Sequence, residues 1–264
     1  MRTSILEKHR IFAICSAVLC LCAITEACSE RPERPEEAQQ LPPSRAEAEP
    51  RSSTTTDSGG ITPGIDPWPM IEKTWKPLTG NTPTFSTDWI AGKTVNWENY
   101  LGKLKNQPNA RGLEIGCFEG RSTIWYAQNI LTGNGATLTC VDPFSPRLHH
   151  FFDHNIDVTG VKDRIVKLTG YSEDVLRTLP TEKKFDFIYV DGGHMPWNTL
   201  TDIVFAWDLL KVGGVLIIDD YTYKSDTGEN PKPACDAFLE IYKPLIADVL
   251  IGTQVIVRKA KEWK

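Results

Sequence analysis

The chain has 264 residues, 41 % of them hydrophobic and 24 % charged, with 29 basic and 34 acidic side chains and a net charge of −5. These values suit one ordinary globular domain or two small ones and exclude a collagen-like or wholly disordered chain. A single long apolar run excludes a multi-pass membrane protein, and the lack of a basic surplus argues against nucleic-acid binding by phosphate neutralisation.

The chain opens with Arg2, Lys8 and Arg10 ahead of an apolar run at residues 11–24, then Thr25, Glu26 and Ala27. Basic residues, an apolar stretch and a small-residue exit resemble a secretory signal over residues 1–28. The run is short for a bilayer span of about 20 residues. A cleaved signal, a lipoprotein signal at Cys28 and an uncleaved anchor are therefore the alternatives. The expected location is exported or membrane-tethered through residues 11–24, with a cytoplasm-facing domain still open. Residues 29–60 are rich in Pro, Glu, Ser, Thr and Arg and hold almost no large apolar side chain. Such a segment cannot offset its ordering entropy, and we read it as a disordered linker.

Residues 61–110 are expected to form an N-terminal helical extension, with one or two helices inside Asp88–Leu104. From residue 111 strands and helices alternate. Gly112–Cys117, Thr137–Val141, Ile165–Leu168, Phe185–Val190 and Val215–Ile218 read as short apolar strands. Helices are expected over Ser122–Leu131, after Ser172 as a cap, from Pro196 to a stop at Gly213-Gly214, and over Ala234–Tyr242. Val249–Ile251 and Gln254–Val257 read as a closing hairpin around Gly252-Thr253. This alternation predicts an α/β fold, a doubly wound, mostly parallel seven-stranded sheet over residues 111–264. The body cysteines Cys117, Cys140 and Cys235 are odd in number and widely spaced, which is neither a disulfide framework nor a zinc pattern.

Doubly wound sheets bind ligands beyond the carboxyl ends of their strands. The first strand ends in LEIGCFEGRST (113–123), with Gly116 and Gly120 spaced unlike a dinucleotide fingerprint and Glu114 just ahead. An acid beside the turn suits a cationic, amino-acid-like ligand better than a pyrophosphate. The second strand ends in Asp142, placed to accept hydrogen bonds from ribose hydroxyls. The third ends in Tyr171-Ser172, where an aromatic ring could stack on a base. The fourth ends in Asp191-Gly192-Gly193-His194 and the fifth in Asp219-Asp220. Three carboxylates suit Mg²⁺ or Ca²⁺, and His194 suits a general base at neutral pH. The competing explanations are a plain turn with an acidic neighbour at Glu114, loop caps at Asp142 and at Asp219 or Asp220, cover for the core edge at Tyr171, and a helix cap at His194. His149, His150 and His154 lack a ligand partner at diagnostic spacing and fit a surface or pocket-lip role.

Taken together, LEIGCFEGRST, LTCVDPF (138–144), FDFIYVDGGH (185–194) and LLKVGGVLIIDDY (209–221) resemble the ordered motifs of class I S-adenosylmethionine-dependent methyltransferases. The D-G-x-H form is similar to the branch that includes metal-dependent small-molecule O-methyltransferases, and the resemblance covers roughly residues 86–260. It implies S-adenosyl-L-methionine as cofactor, held by Glu114, Gly116, Gly120, Asp142, Tyr171 and Ser172. It implies Asp191, Asp219 and Asp220 as ligands of Mg²⁺, with His194 and Asp191 catalytic. Asp219 stands where several metal-dependent relatives have Glu, which weakens the metal assignment. The expected reaction is methyl transfer to a small-molecule hydroxyl, without nucleic acid as partner; a homo-oligomer is left open. The other readings are a non-catalytic tethered binding domain of the same fold and a nicotinamide-dependent oxidoreductase.

Overall fold

The computed structural model describes residues 78, 80–180, 182 and 185–263. The expected signal, the linker and residues 61–77 of the extension lie outside the described residues. Among the described residues no helix is long and apolar enough to cross a membrane.

The strands are β1 (Arg111–Ile115), β2 (Thr137–Asp142), β3 (Ile165–Thr169), β4 (Phe185–Val190), β5 (Leu210–Ile218), β6 (Ile246–Ile251) and β7 (Val255–Lys259). They form one sheet in the order β3-β2-β1-β4-β5-β7-β6. The first five are parallel, with Leu113 opposite Thr139 on one side and Ile188 on the other. β7 runs antiparallel to both β5 and β6, so the hairpin expected around Gly252-Thr253 closes the sheet.

Alternation along the central strands sends side chains to two separate cores. Phe187, Tyr189, Val215 and Ile217 face α1 (Thr94–Leu101), α2 (Arg121–Asn129) and α3 (Pro146–Val158). Ile188, Val190, Leu216 and Ile218 face α4 (Ser172–Thr178), α5 (Pro196–Leu209) and α6 (Lys232–Tyr242). Buried Trp97 of α1 packs on the first face, its ring centroid 4.6 Å from that of Tyr126 and 5.4 Å from that of Tyr189. This contact fixes the start of α1 over the ends of the central strands.

Two expectations need correction. The glycine pair does not end α5, because the helix stops at Leu209 and Gly213-Gly214 lie inside β5. The stop comes from tertiary structure. The buried Lys259 ammonium of β7 donates to the carbonyls of Trp207 (2.8 Å) and Leu210 (3.1 Å), as a C-terminal helix cation should. Inside Asp88–Leu104 lie turns at 89–93, one α-helix of 8 residues, Thr94–Leu101, and a 3₁₀ turn over Gly102–Leu104, within the expected one or two helices. Ser172 is the first residue of α4, and Tyr171 occupies the cap position without a side-chain hydrogen bond.

The segment before α1 forms a strap across α3. Asn155, fully buried, donates to Thr84 O (2.8 Å) and Glu119 O (2.8 Å) and accepts from Thr84 N–H (2.7 Å). His150 Nε2 accepts from Leu78 N–H, and His154 Nε2 lies 3.2 Å from Thr82 O. The paired histidines thus serve the strap through their shared helix face. Asn155→Ala would leave buried amide and carbonyl groups unpaired, so we expect it to destabilise the fold by about 1–3 kcal/mol. Urea unfolding measures this, and limited proteolysis should cut earlier within residues 80–86.

Candidate active site

Gly116 and Gly120 both have φ +84°. At Gly116 a Cβ would sit 2.0 Å from Asp191 O, so only glycine allows β1 and β4 to turn outward side by side. Asp191 N–H donates to Ile115 O at 2.8 Å, which locks the two strand ends together. Phe118, Phe144 and Asp220 also have positive φ, at the ends of β1, β2 and β5. Non-glycine residues adopt this region at a cost, and such strain concentrates at functional sites.

Asp142 closes the same turn. Its Oδ2 accepts from Cys117 N–H (2.9 Å) and Phe118 N–H (3.0 Å), and its Oδ1 from Phe144 N–H (2.7 Å). A carboxylate offers about four lone-pair sites, so its main visible work is to hold the β1 and β2 turns. Glu114 points under α2 and is fully buried, accepting from the hydroxyls of Ser122 and Thr123. It anchors the helix that follows the glycine turn. Tyr171 at the end of β3 is 68 % exposed and leaves a ring face free for a planar ligand. Ser172 lies near Asp202, a buried carboxylate beside Gly192 whose Oδ2 has no hydrogen-bond partner.

Burial raises the Glu114 carboxyl to about 8 against the pull of its two hydroxyl partners. Between the ordinary carboxylate range and about 8, the folded chain keeps a proton that the unfolded chain has released. Stability therefore falls as pH rises through that window. Glu114→Gln should flatten the slope and be at least as stable as the parent at about pH 8. Urea unfolding across the window checks this, and an unchanged slope would assign it to another group.

The acidic residues of β4 and β5 separate into two groups. His194 Nε2 lies 2.9 Å from Asp220 Oδ2 and 3.9 Å from Asp191 Oδ1, while Nδ1 is 4.0 Å from Glu229 Oε1. Ligating atoms of Asp191, His194 and Asp220 all lie within 4.8 Å of one another. Asp219 turns the other way and is buried. Its Oδ2 accepts from Lys93 Nζ and from Tyr189 O–H, and its Oδ1 from Asp220 N–H (2.8 Å) and Gln254 Nε2 (3.1 Å). Tyr189 O–H also lies 3.0 Å from Asp191 Oδ2, and Gln254 accepts from the Trp97 indole at 3.0 Å. The expected carboxylate trio is thus adjacent, but Asp219 offers no open oxygen. It does not fit as a ligand of a divalent cation.

The Asp191 and Asp220 carboxylates raise His194 to about 10, so the imidazole is charged at neutral pH. Asp191 is itself raised by burial and by repulsion from Asp219. Lys93 is lowered by burial but raised more by Asp219, Asp191 and Asp220, and stays an ammonium. Lys93, Tyr189, Gln254 and Trp97 were not legible as site residues. Only the i, i+4 spacing of Lys93 and Trp97, one helical face, hints that they act together.

The seven-stranded sheet, with β7 antiparallel at its closing edge, is the Rossmann-like fold seen in methyltransferase structures. More particularly, residues 113–221 match the family described as a methyltransferase domain. The chain is 31 % identical over 141 residues to a catechol O-methyltransferase of Niastella koreensis, covering 52 % of this chain and 58 % of that protein. It is 31 % identical over 120 residues to an O-methyltransferase of Aspergillus hancockii, covering 46 % of each. The chain thus spans about half the length of the curated relatives it matches. The O-methyltransferase from Bacillus cereus, solved in complex with SAH, shares the fold with a TM-score of 0.51 at 22 % identity, over 68 % of this chain and 85 % of that one.

Proposed function

We propose that this protein transfers a methyl group from S-adenosyl-L-methionine to a hydroxyl oxygen of a small molecule. The observation that carries the reading is the strained, glycine-permitted turn of β1 set against acidic ends of β2, β4 and β5. The residues fit a sulfonium nucleoside. Backbone turns at Gly116 and Gly120, acid at Asp142 and an exposed ring at Tyr171 suit a cationic amino-acid end, a ribose and a base.

When bound, S-adenosylmethionine supplies an electrophilic methyl whose carbon–sulfur bond breaks as the oxygen–carbon bond forms, the electron pair staying on sulfur. The protein's part is alignment and removal of the hydroxyl proton. Asp191 is the base in this reading. Its carboxyl is raised toward neutrality by burial and by Asp219, where a base both stays ionised and binds a proton well. His194, charged between Asp191 and Asp220, orients Asp191 and stabilises the developing oxyanion. It starts protonated, so it does not take the acceptor's proton itself.

Calorimetric titration of the full chain with S-adenosylmethionine, S-adenosylhomocysteine and NAD tests the reading. Micromolar binding of the sulfur ligands without NAD binding is expected, followed by a methylated product in a screen of phenolic and sugar hydroxyls. A folded chain that binds neither sulfur ligand would overturn it.

A further inference from the structure

At the strand ends Lys93 donates to the buried Asp219 carboxylate. Asp191, Asp219 and Asp220 put three carboxylates on two neighbouring strand ends, with Tyr189 O–H between the first two. Lys93 reaches them from the residue just before α1, and its side chain is 17 % exposed against 1 % for Asp219. Local rules do not favour lysine there. The cap of a helix N-terminus wants a side-chain acceptor, and the helix dipole repels a cation. Lys93 makes no capping bond to its own helix and donates to Asp219 instead. Its placement is secured by Trp97 on the same helix face, whose indole bonds Gln254, which in turn donates to Asp219. One buried chain of contacts therefore sets the helix, the lysine and the carboxylate together.

We propose that the Lys93 ammonium stands in place of a divalent cation at Asp219, so that this site needs no metal and binds one only when the Lys93 side chain no longer occupies that carboxylate. The inference concerns the same strand ends as the methyl-transfer reading. Its test reads cation binding and not turnover, so either can fail alone.

The experiment is titration of the full chain with Mn²⁺, followed by electron paramagnetic resonance of the free ion, for the parent, Lys93→Met, Lys93→Arg and Asp220→Asn. The parent and Lys93→Arg should bind no more tightly than about 1 mM, the weak end of oxygen-ligand sites. Lys93→Met should bind about tenfold more tightly or better, because an adjacent cation no longer opposes the ion. Adding Asp219→Asn to Lys93→Met should cancel the gain. If Lys93→Met does not fold alone, refolding by Mn²⁺ but not by Na⁺ is the supporting result, and no refolding overturns the proposal. Micromolar binding by the parent would also overturn it, whether or not Asp220→Asn removes that binding. So would a folded Lys93→Met that binds no better than the parent.

Discussion

Gly116→Ala is expected to destabilise the chain by more than about 3 kcal/mol and to abolish binding of S-adenosylhomocysteine. Two effects add. The residue has φ +84°, which alanine adopts only with strain, and its Cβ would lie 2.0 Å from Asp191 O. The obstacle is backbone of β4, itself held by the Asp191 N–H to Ile115 O bond, so no side chain can swing aside. Either β1 and β4 part at their ends or the turn changes course. Both move Cys117 and Phe118 off the Asp142 carboxylate. Urea unfolding and calorimetry measure the two effects. A variant of parental stability that still binds would mean that the strand ends yield more easily than their packing implies. Gly120→Ala is the milder comparison, because its Cβ meets side chains and no backbone, the Phe152 ring at 3.2 Å and Ile156 at 3.6 Å.

Asp191→Asn should reduce turnover by about 10²–10⁴-fold, the usual contribution of a positioned base, with little change in affinity for S-adenosylhomocysteine. The substitution keeps shape and the Asp191 N–H bond but removes the proton acceptor. The pH dependence follows from the raised carboxyl. A base acts when deprotonated, so parent turnover should fall as pH drops through the raised Asp191 value. The variant's residual rate should lose that acid limb. Circular dichroism confirms the fold, and initial rates across pH give the profile. Parental turnover in a folded Asp191→Asn protein would remove this residue from the mechanism and return attention to His194.

Several features were determined by the sequence alone. Phe185–Val190 is a strand with the expected limits, because β-branched and aromatic residues buried on both faces leave it no other place than the sheet centre. The glycine turn, Asp142, the D-G-G-H turn and the acidic pair all fall at strand ends, since alternating periods fix where each strand stops. What tertiary structure decided is how those groups are used. Residues 209–214 read as a glycine-terminated helix end, yet Lys259, 49 positions beyond Leu210, stops the helix and lets β5 run through the glycines. His150 and His154 have a ligand-like spacing, and their partners are strap atoms 72 positions earlier. Asp219 and Asp220 are neighbours in the chain, but the backbone at Asp220 has φ +56° and the two carboxylates diverge. One meets His194 and the other meets Lys93, which lies 126 positions away. Local patterning specifies which chemistry reaches the end of each strand. Which charge neutralises which depends on groups brought together only when the strap and first helix fold over the sheet.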